Sequence, residues 1–169
     1  MNVKEAIFKR RSVRKFKDIK VSDELIQSLL ECAMAAPSAC NKKPWFFYVI
    51  TNEEKLEELR KSSRYTNYKS PLNIIVCGDT DKALSKKPED FWIQDASSAL
   101  ENILIEAVEL GLGTCWCGIF PMETALKNVK EILSLPDNII PLGLIHIGYP
   151  DEEKESRTQY DESCVKYIK

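Results

Sequence analysis

Three arginines and a hydroxyl fall within five residues near the start of the chain, at Arg10-Arg11-Ser12-Val13-Arg14. A guanidinium fork pairs bidentately with phosphate oxygens, and a serine hydroxyl adds another donor. In extended chain Arg10, Ser12 and Arg14 point to one side and Arg11 to the other. That side could hold a phosphate at one end and polar ring atoms at the other. A solvated basic turn that favours the C-terminus of the preceding helix is the plainer reading of the same residues. RNA binding is a third reading, but neither an aromatic stacking platform nor a wider basic face accompanies the cluster.

A second candidate is Ala36-Pro37-Ser38-Ala39-Cys40-Asn41-Lys42-Lys43-Pro44-Trp45. Its small residues let backbone approach a flat ligand closely, and Ser38 and Asn41 offer donors and acceptors. The same residue types also make ordinary loops. Cys115 and Cys117 form the only close pair among six cysteines. A zinc site needs a second such pair or nearby histidines, and His146 is the only histidine, so no metal is expected. Free cysteine behaves as a small buried hydrophobe, and packing is the expectation for both thiols. His146 lies in an apolar stretch and reads as a core histidine.

These residues sit on a chain of 169 residues, the size of one domain with one real core. Its 24 basic and 26 acidic residues leave a net charge of −2, which offers no electrostatic support for nucleic-acid or membrane binding. Lys4, Glu5 and Lys9 to Arg11 break the first apolar stretch, so no signal peptide is read there. No apolar run is long enough for a membrane span. A cytoplasmic protein is the expectation.

Periodicity supplies the elements that must position the candidates. Val3 to Lys9 reads as a short helix. Ser22 caps a second helix, whose apolar face is Leu25, Ile26, Leu29, Leu30, Ala33 and Met34; Pro37 lies just beyond its end. Pro44 to Ile50 reads as a buried strand, Asn52 to Arg60 as a helix and Leu72 to Gly78 as a second buried strand. Asp79 to Asp90 is charged and reads as a loop. A long helix then runs from about Phe91 to Gly111. Thr114 to Cys117 is a short strand, Met122 to Leu133 a helix and Ile139 to Gly148 a strand. The polar tail beyond Pro150 ends in apolar Val165, Tyr167 and Ile168. The sum is four core strands and five helices in an α/β or α+β domain. A tail of this kind could leave its own domain and dock on a partner subunit.

Taken together, the motifs resemble the flavin-dependent nitroreductase family. Arg-Arg-Ser-Val-Arg is followed about 25 residues later by Ala-Pro-Ser-Ala-x-Asn-x-x-Pro-Trp. Asp95-Ala96-x-x-Ala99-x-x-Asn102 leads through Leu110-Gly111-Leu112-Gly113-Thr114-Cys115-Trp116, and Ile147-Gly148-Tyr149-Pro150 precedes Arg157. The resemblance spans the chain from end to end, with four motifs in the right order.

It implies an α+β fold, an α-β-α sandwich around a mainly antiparallel sheet, as a single domain over residues 1–169. It also implies an intertwined homodimer, with the tail from about residue 150 reaching the partner. Two FMN molecules would sit at the interface. Arg10, Ser12 and Arg14 would contact phosphate, ribityl chain and polar ring edge, Arg11 would join that cluster, and Arg157 would close on the phosphate. Pro37, Ser38 and Asn41 of the other subunit would line the ring. Cys115, Trp116, Cys117 and Gly118 would pass beside it, with the Gly118 N–H aimed at flavin N5. The family often has a second glycine where this chain has Ile119, which leaves the identity of the donor open.

By the same resemblance NAD(P)H would deliver a hydride, and an electron-poor nitroaromatic, quinone or enone would then take its place in a ping-pong cycle. The flavin carries such chemistry, so no catalytic side chain is assigned. The segments Arg60 to Ser70 and Asp79 to Asp90 are shorter than the family's covering helices. The site should therefore be more open, or roofed by Tyr65, Tyr68, Phe91 or Trp92. A specialised flavin enzyme of the same fold, such as a dehalogenase or a flavin-cleaving enzyme, is an alternative. So is a non-enzymatic flavin- or phosphate-binding regulatory module.

Overall fold

The computed structural model describes residues 1–85 and 90–169. Its helices are α1 (Val3–Lys9), α2 (Asp23–Met34), α3 (Glu53–Arg60), α4 (Trp92–Glu109) and α5 (Glu123–Leu133). Its strands are β1 (Trp45–Ile50), β2 (Leu72–Asp79), β3 (Gly113–Gly118) and β4 (Ile139–Gly148). The reading of 79–90 as a loop falls partly on residues 86–89, which lie outside the described residues. The long helix ends two residues before its sequence pattern, because the backbone leaves it at Leu110 and Gly111 takes a φ of 71°. Glycine adopts that left-handed conformation without a steric penalty.

The four strands form one sheet in the order β1-β2-β4-β3, every neighbouring pair antiparallel. Alternation along β2 explains the layers. Ile74 and Val76 face one core with Leu29 and Ala33 of α2 and Ala99, Leu100 and Ile103 of α4. Ile75 and Cys77 face a second core with Leu59 of α3 and Ala125 and Val129 of α5. Both faces of β2 are therefore apolar, and every β2 residue is buried. This is an α+β fold, with helices on both sides of an antiparallel sheet.

Two local features prepare the site. A capping box fixes the start of α1: the Asn2 side chain accepts the Glu5 N–H at 2.9 Å and the Glu5 carboxylate accepts the Asn2 N–H at 3.3 Å. The helix ends at Lys9, and Arg10 turns the chain extended, with φ −59° and ψ 119°. The arginine cluster then runs beside β3. Val13 N–H donates to the Thr114 carbonyl at 2.8 Å, and Ser12 bridges Thr114 in parallel. Gly113 permits this approach, since a Cβ there would meet the Val13 side chain at 2.8 Å.

Candidate active site along the edge of β3

The arginine cluster and the start of the tail form a ribbon along β3. Arg14 N–H donates to the Glu152 carboxylate at 2.6 Å, and the Arg11 guanidinium donates to the Glu155 carbonyl. Arg157 N–H donates to the Phe8 carbonyl at 3.0 Å. The Arg14 N–H and Lys154 hold the Glu152 carboxyl down at about 2. Arg11 thus serves the tail backbone, while Arg10 and Arg157 line a cavity of about 250 Å³ with Ile7, Phe8, Thr158, Gln159 and Glu101. Glu101 lies 3.7 Å from Arg10. Burial raises the Glu101 carboxyl, and Arg10 offsets part of that rise. A phosphate entering here would meet two guanidiniums, one of them already held by a competing acid.

The other end of the ribbon is built on Tyr68. The Arg14 guanidinium lies over the Tyr68 ring, 5.8 Å from its centroid, and Tyr68 raises the arginine's pKa further. Tyr68 rests edge-on against His146 at 5.5 Å. His146 is fully buried, with Nδ1 2.8 Å from Ser70 Oγ, which also donates to Asn73 Oδ1 at 2.8 Å. Asn73, His146 and Cys115 stand in register across β2, β4 and β3. Position 14 is therefore supported by a buried polar row.

Burial lowers the His146 pKa from its usual 6.5 to about 4, against a smaller opposing effect of the Thr66 backbone. The neutral ring is the folded form, and the unfolded chain binds the extra proton between the two values. Stability is thus complete above pH 6.5 and falls as pH drops toward 4. Urea unfolding should show a loss of about 2 kcal/mol between pH 7.5 and pH 5 from this residue. A His146→Gln variant should lack that slope.

Cys115 and Cys117 point into the second core and are nearly inaccessible. Cys117 Sγ donates to the Tyr65 carbonyl at 3.0 Å. The neighbouring Cys117 and the Arg14 guanidinium pull the Cys115 thiol below its usual value against burial, while Cys115 and burial push the Cys117 thiol up. Among the described residues no three His, Cys, Asp or Glu side chains gather as a metal site.

Between these cysteines the strand shows its other side. Trp116 is 40% exposed and lies across Gly143, where a Cβ would fall 2.4 Å from the indole nitrogen. Gly118 is exposed, and a Cβ there would meet nothing within 4 Å. In an antiparallel ladder the backbone groups of alternate residues face alternate sides. The Thr114 carbonyl faces the outer edge, toward Val13, whereas the Ile119 N–H turns inward to Leu142 at 3.0 Å. The Gly118 N–H therefore faces the open edge, beside the exposed Trp116.

Pro37, Ser38 and Asn41 stand elsewhere. They precede β1, the opposite edge of the sheet, about 14 Å from β3 at three strand spacings. Within one chain they do not join the arginine ribbon. Tyr65 and Phe91 are exposed, at 46% and 44%. Trp92 is a correction: it is fully buried in the core, edge-on to Phe120 at 5.3 Å, so it roofs nothing. It fills the space left by Gly78, where a Cβ would lie 2.1 Å from the indole. A cavity of about 610 Å³ lies between the α1–α2 connection, the end of β1 and α3. Four acidic and four basic side chains line it, and it reaches Tyr68, the support of Arg14. Glu101 escaped the sequence reading, because an acid on a long helix looks like part of a solvated face.

Known proteins resemble this chain over nearly its whole length. The model of the nitroreductase family matches residues 7–71 and 65–149. A Methanothermobacter thermautotrophicus protein named "Putative NADH dehydrogenase/NAD(P)H nitroreductase" is 42% identical over 163 residues, 95% of this chain and 84% of the relative. The structure of an FMN-dependent nitroreductase from Clostridium difficile superposes with a TM-score of 0.88 at 33% identity, covering 98% of each chain. A Desulfovibrio desulfuricans nitroreductase-type protein solved in complex with FMN gives 0.84 at 27% identity, covering 99% of this chain and 96% of the other. With the basic ribbon, the open glycine edge and the sandwich fold all in place, the chain belongs to the nitroreductase family.

Proposed function

We propose that this protein is an FMN-dependent oxidoreductase that takes a hydride from NAD(P)H and passes it to an electron-poor nitroaromatic, quinone or enone. The observation that carries the reading is the edge of β3. It has a two-arginine cavity at one end, an arginine on a buried support at the other and an outward backbone N–H at Gly118. These groups suit a flavin mononucleotide by charge and hydrogen-bonding character. Arg10 and Arg157 would hold the phosphate, Ser12 the ribityl chain and Arg14 the polar ring edge. Gly118 would donate its N–H to the ring while leaving the face uncovered, and Trp116 would border it.

Bound FMN supplies hydride acceptance and release. The protein binds and orients the ring and keeps a flat slot beside it. No side chain at this edge needs to move a proton. Cys115 and Cys117 face the core, which agrees with a structural role for both.

The active unit is a homodimer. A ring held on β3 of one chain would receive Pro37, Ser38 and Asn41 from a second. The exposed tail gives the means of pairing: Val165, Tyr167 and Ile168 have no core of their own, and Val165 has extended backbone. Edge strand β1 exposes Phe46 and Val49, at 40% each. A tail laid along the partner's β1 would cover both surfaces and pair an open strand edge.

Steady-state oxidation of NADH and NADPH with a quinone acceptor tests the enzyme reading. Turnover with parallel double-reciprocal lines is expected. A protein that binds FMN and turns over neither nucleotide would be a flavin-binding module instead.

A further inference from the structure

We infer that Asp95 is a positioning residue for the flavin: it fixes the shape of the Pro37–Asn41 loop that lines the ring. The inference rests on the flavin reading above.

The loop has an unusual backbone. Cys40, Asn41 and Lys43 all lie in the left-handed region, with φ of 48°, 53° and 51°. Asparagine tolerates that region, but cysteine and lysine are disfavoured there. Something must therefore hold the loop, and two side-chain acceptors do so. Ser38 Oγ accepts the Lys43 N–H at 2.9 Å, which closes the loop on itself. Asp95 Oδ1 accepts the Ala39 N–H at 2.8 Å, which ties the loop to the rest of the molecule.

Asp95 is well placed for this. It is 4% exposed and stands in the first turn of α4, where the helix dipole favours a carboxylate. α4 has no side-chain N-cap, so Asp95 is not spent on capping. Its other oxygen, Oδ2, is buried without a hydrogen-bond partner. Burying a carboxylate with one oxygen unpaired is unfavourable for stability. The arrangement makes sense if the position serves the loop. Asp95 acts through Ala39 on the placement of Pro37, Ser38 and Asn41.

The test is FMN affinity of the full-length protein, with the visible circular dichroism of the bound flavin as the second readout. Asp95→Ala should weaken FMN binding tenfold or more and alter the flavin signal. Asp95→Asn keeps an acceptor for the Ala39 N–H and should stay within threefold of wild type. Ala39→Pro is an independent probe, because it deletes the donated N–H while leaving Asp95 intact. Ser38 is already extended, at φ −144° and ψ 154°, and Ala39 opens a short 3₁₀ turn, so proline fits there. It should weaken FMN as Asp95→Ala does, which decides the matter even if Asp95→Ala fails to fold. Wild-type affinity and an unchanged flavin spectrum in Ala39→Pro or in folded Asp95→Ala would overturn the inference alone. A wild-type protein that takes up no FMN would overturn the flavin reading and this inference with it.

Discussion

Arg10→Ala combined with Arg157→Ala is expected to release FMN from the protein while leaving it folded. Both side chains are partly or fully exposed and neither packs in a core cluster, so their loss costs little stability. Hydrogen bonds to charged groups contribute about 1.5–3 kcal/mol each. Each substitution should therefore weaken FMN by roughly 10- to 150-fold, and the pair by about 10² to 10⁴-fold. The two losses should be less than additive, because both guanidiniums face one cavity. Glu101 also matters to the size of the effect, since Arg10 must exchange that carboxylate for the phosphate. Equilibrium titration followed by flavin fluorescence measures it. Flavin retention equal to wild type would remove both arginines from the phosphate site.

If the tail joins two chains as proposed, removing the residues after Tyr160 is expected to leave monomers and to release the flavin at the same time. The deleted segment carries Val165, Tyr167 and Ile168, with exposures of 42%, 71% and 95%. Fully burying such side chains contributes about 1.5–3 kcal/mol each. Two symmetric tails bring the total to the order of 10 kcal/mol before association entropy is subtracted. Pairing with the open edge of β1 would add backbone hydrogen bonds. Light scattering reads the mass directly. The proposed shared site couples the loss of dimer and flavin, because Arg10 to Arg14 and Pro37 to Asn41 belong to opposite edges of one sheet and would meet only across two chains. An unchanged dimer after truncation would count against the tail's role.

Element types were readable where the apolar pattern left one choice. Leu72 to Gly78 is apolar on both faces, and the structure buries both. Leu29 and Ala33 fall at helical spacing, and both lie in the first core. What the pattern could not supply is the company each residue keeps. Trp92 follows a charged stretch and suggested an exposed roof; its place under Gly78 depends on a strand fourteen residues earlier. Glu101 looked solvated until the fold set it beside Arg10. The bend of the Ser38–Lys43 loop was hidden, because Cys40 and Lys43 take left-handed φ without the glycine that usually announces it. Tyr68 was visible as an aromatic near the site. Its support by His146, Ser70 and Asn73 arises only from the register of β2 against β4.

The most direct measurement is the flavin content and mass of the purified, full-length protein. A yellow dimer carrying one FMN per chain is expected, with the released cofactor identified as the mononucleotide. A colourless protein that fails to take up added FMN, or one that binds it fully as a monomer, would contradict it.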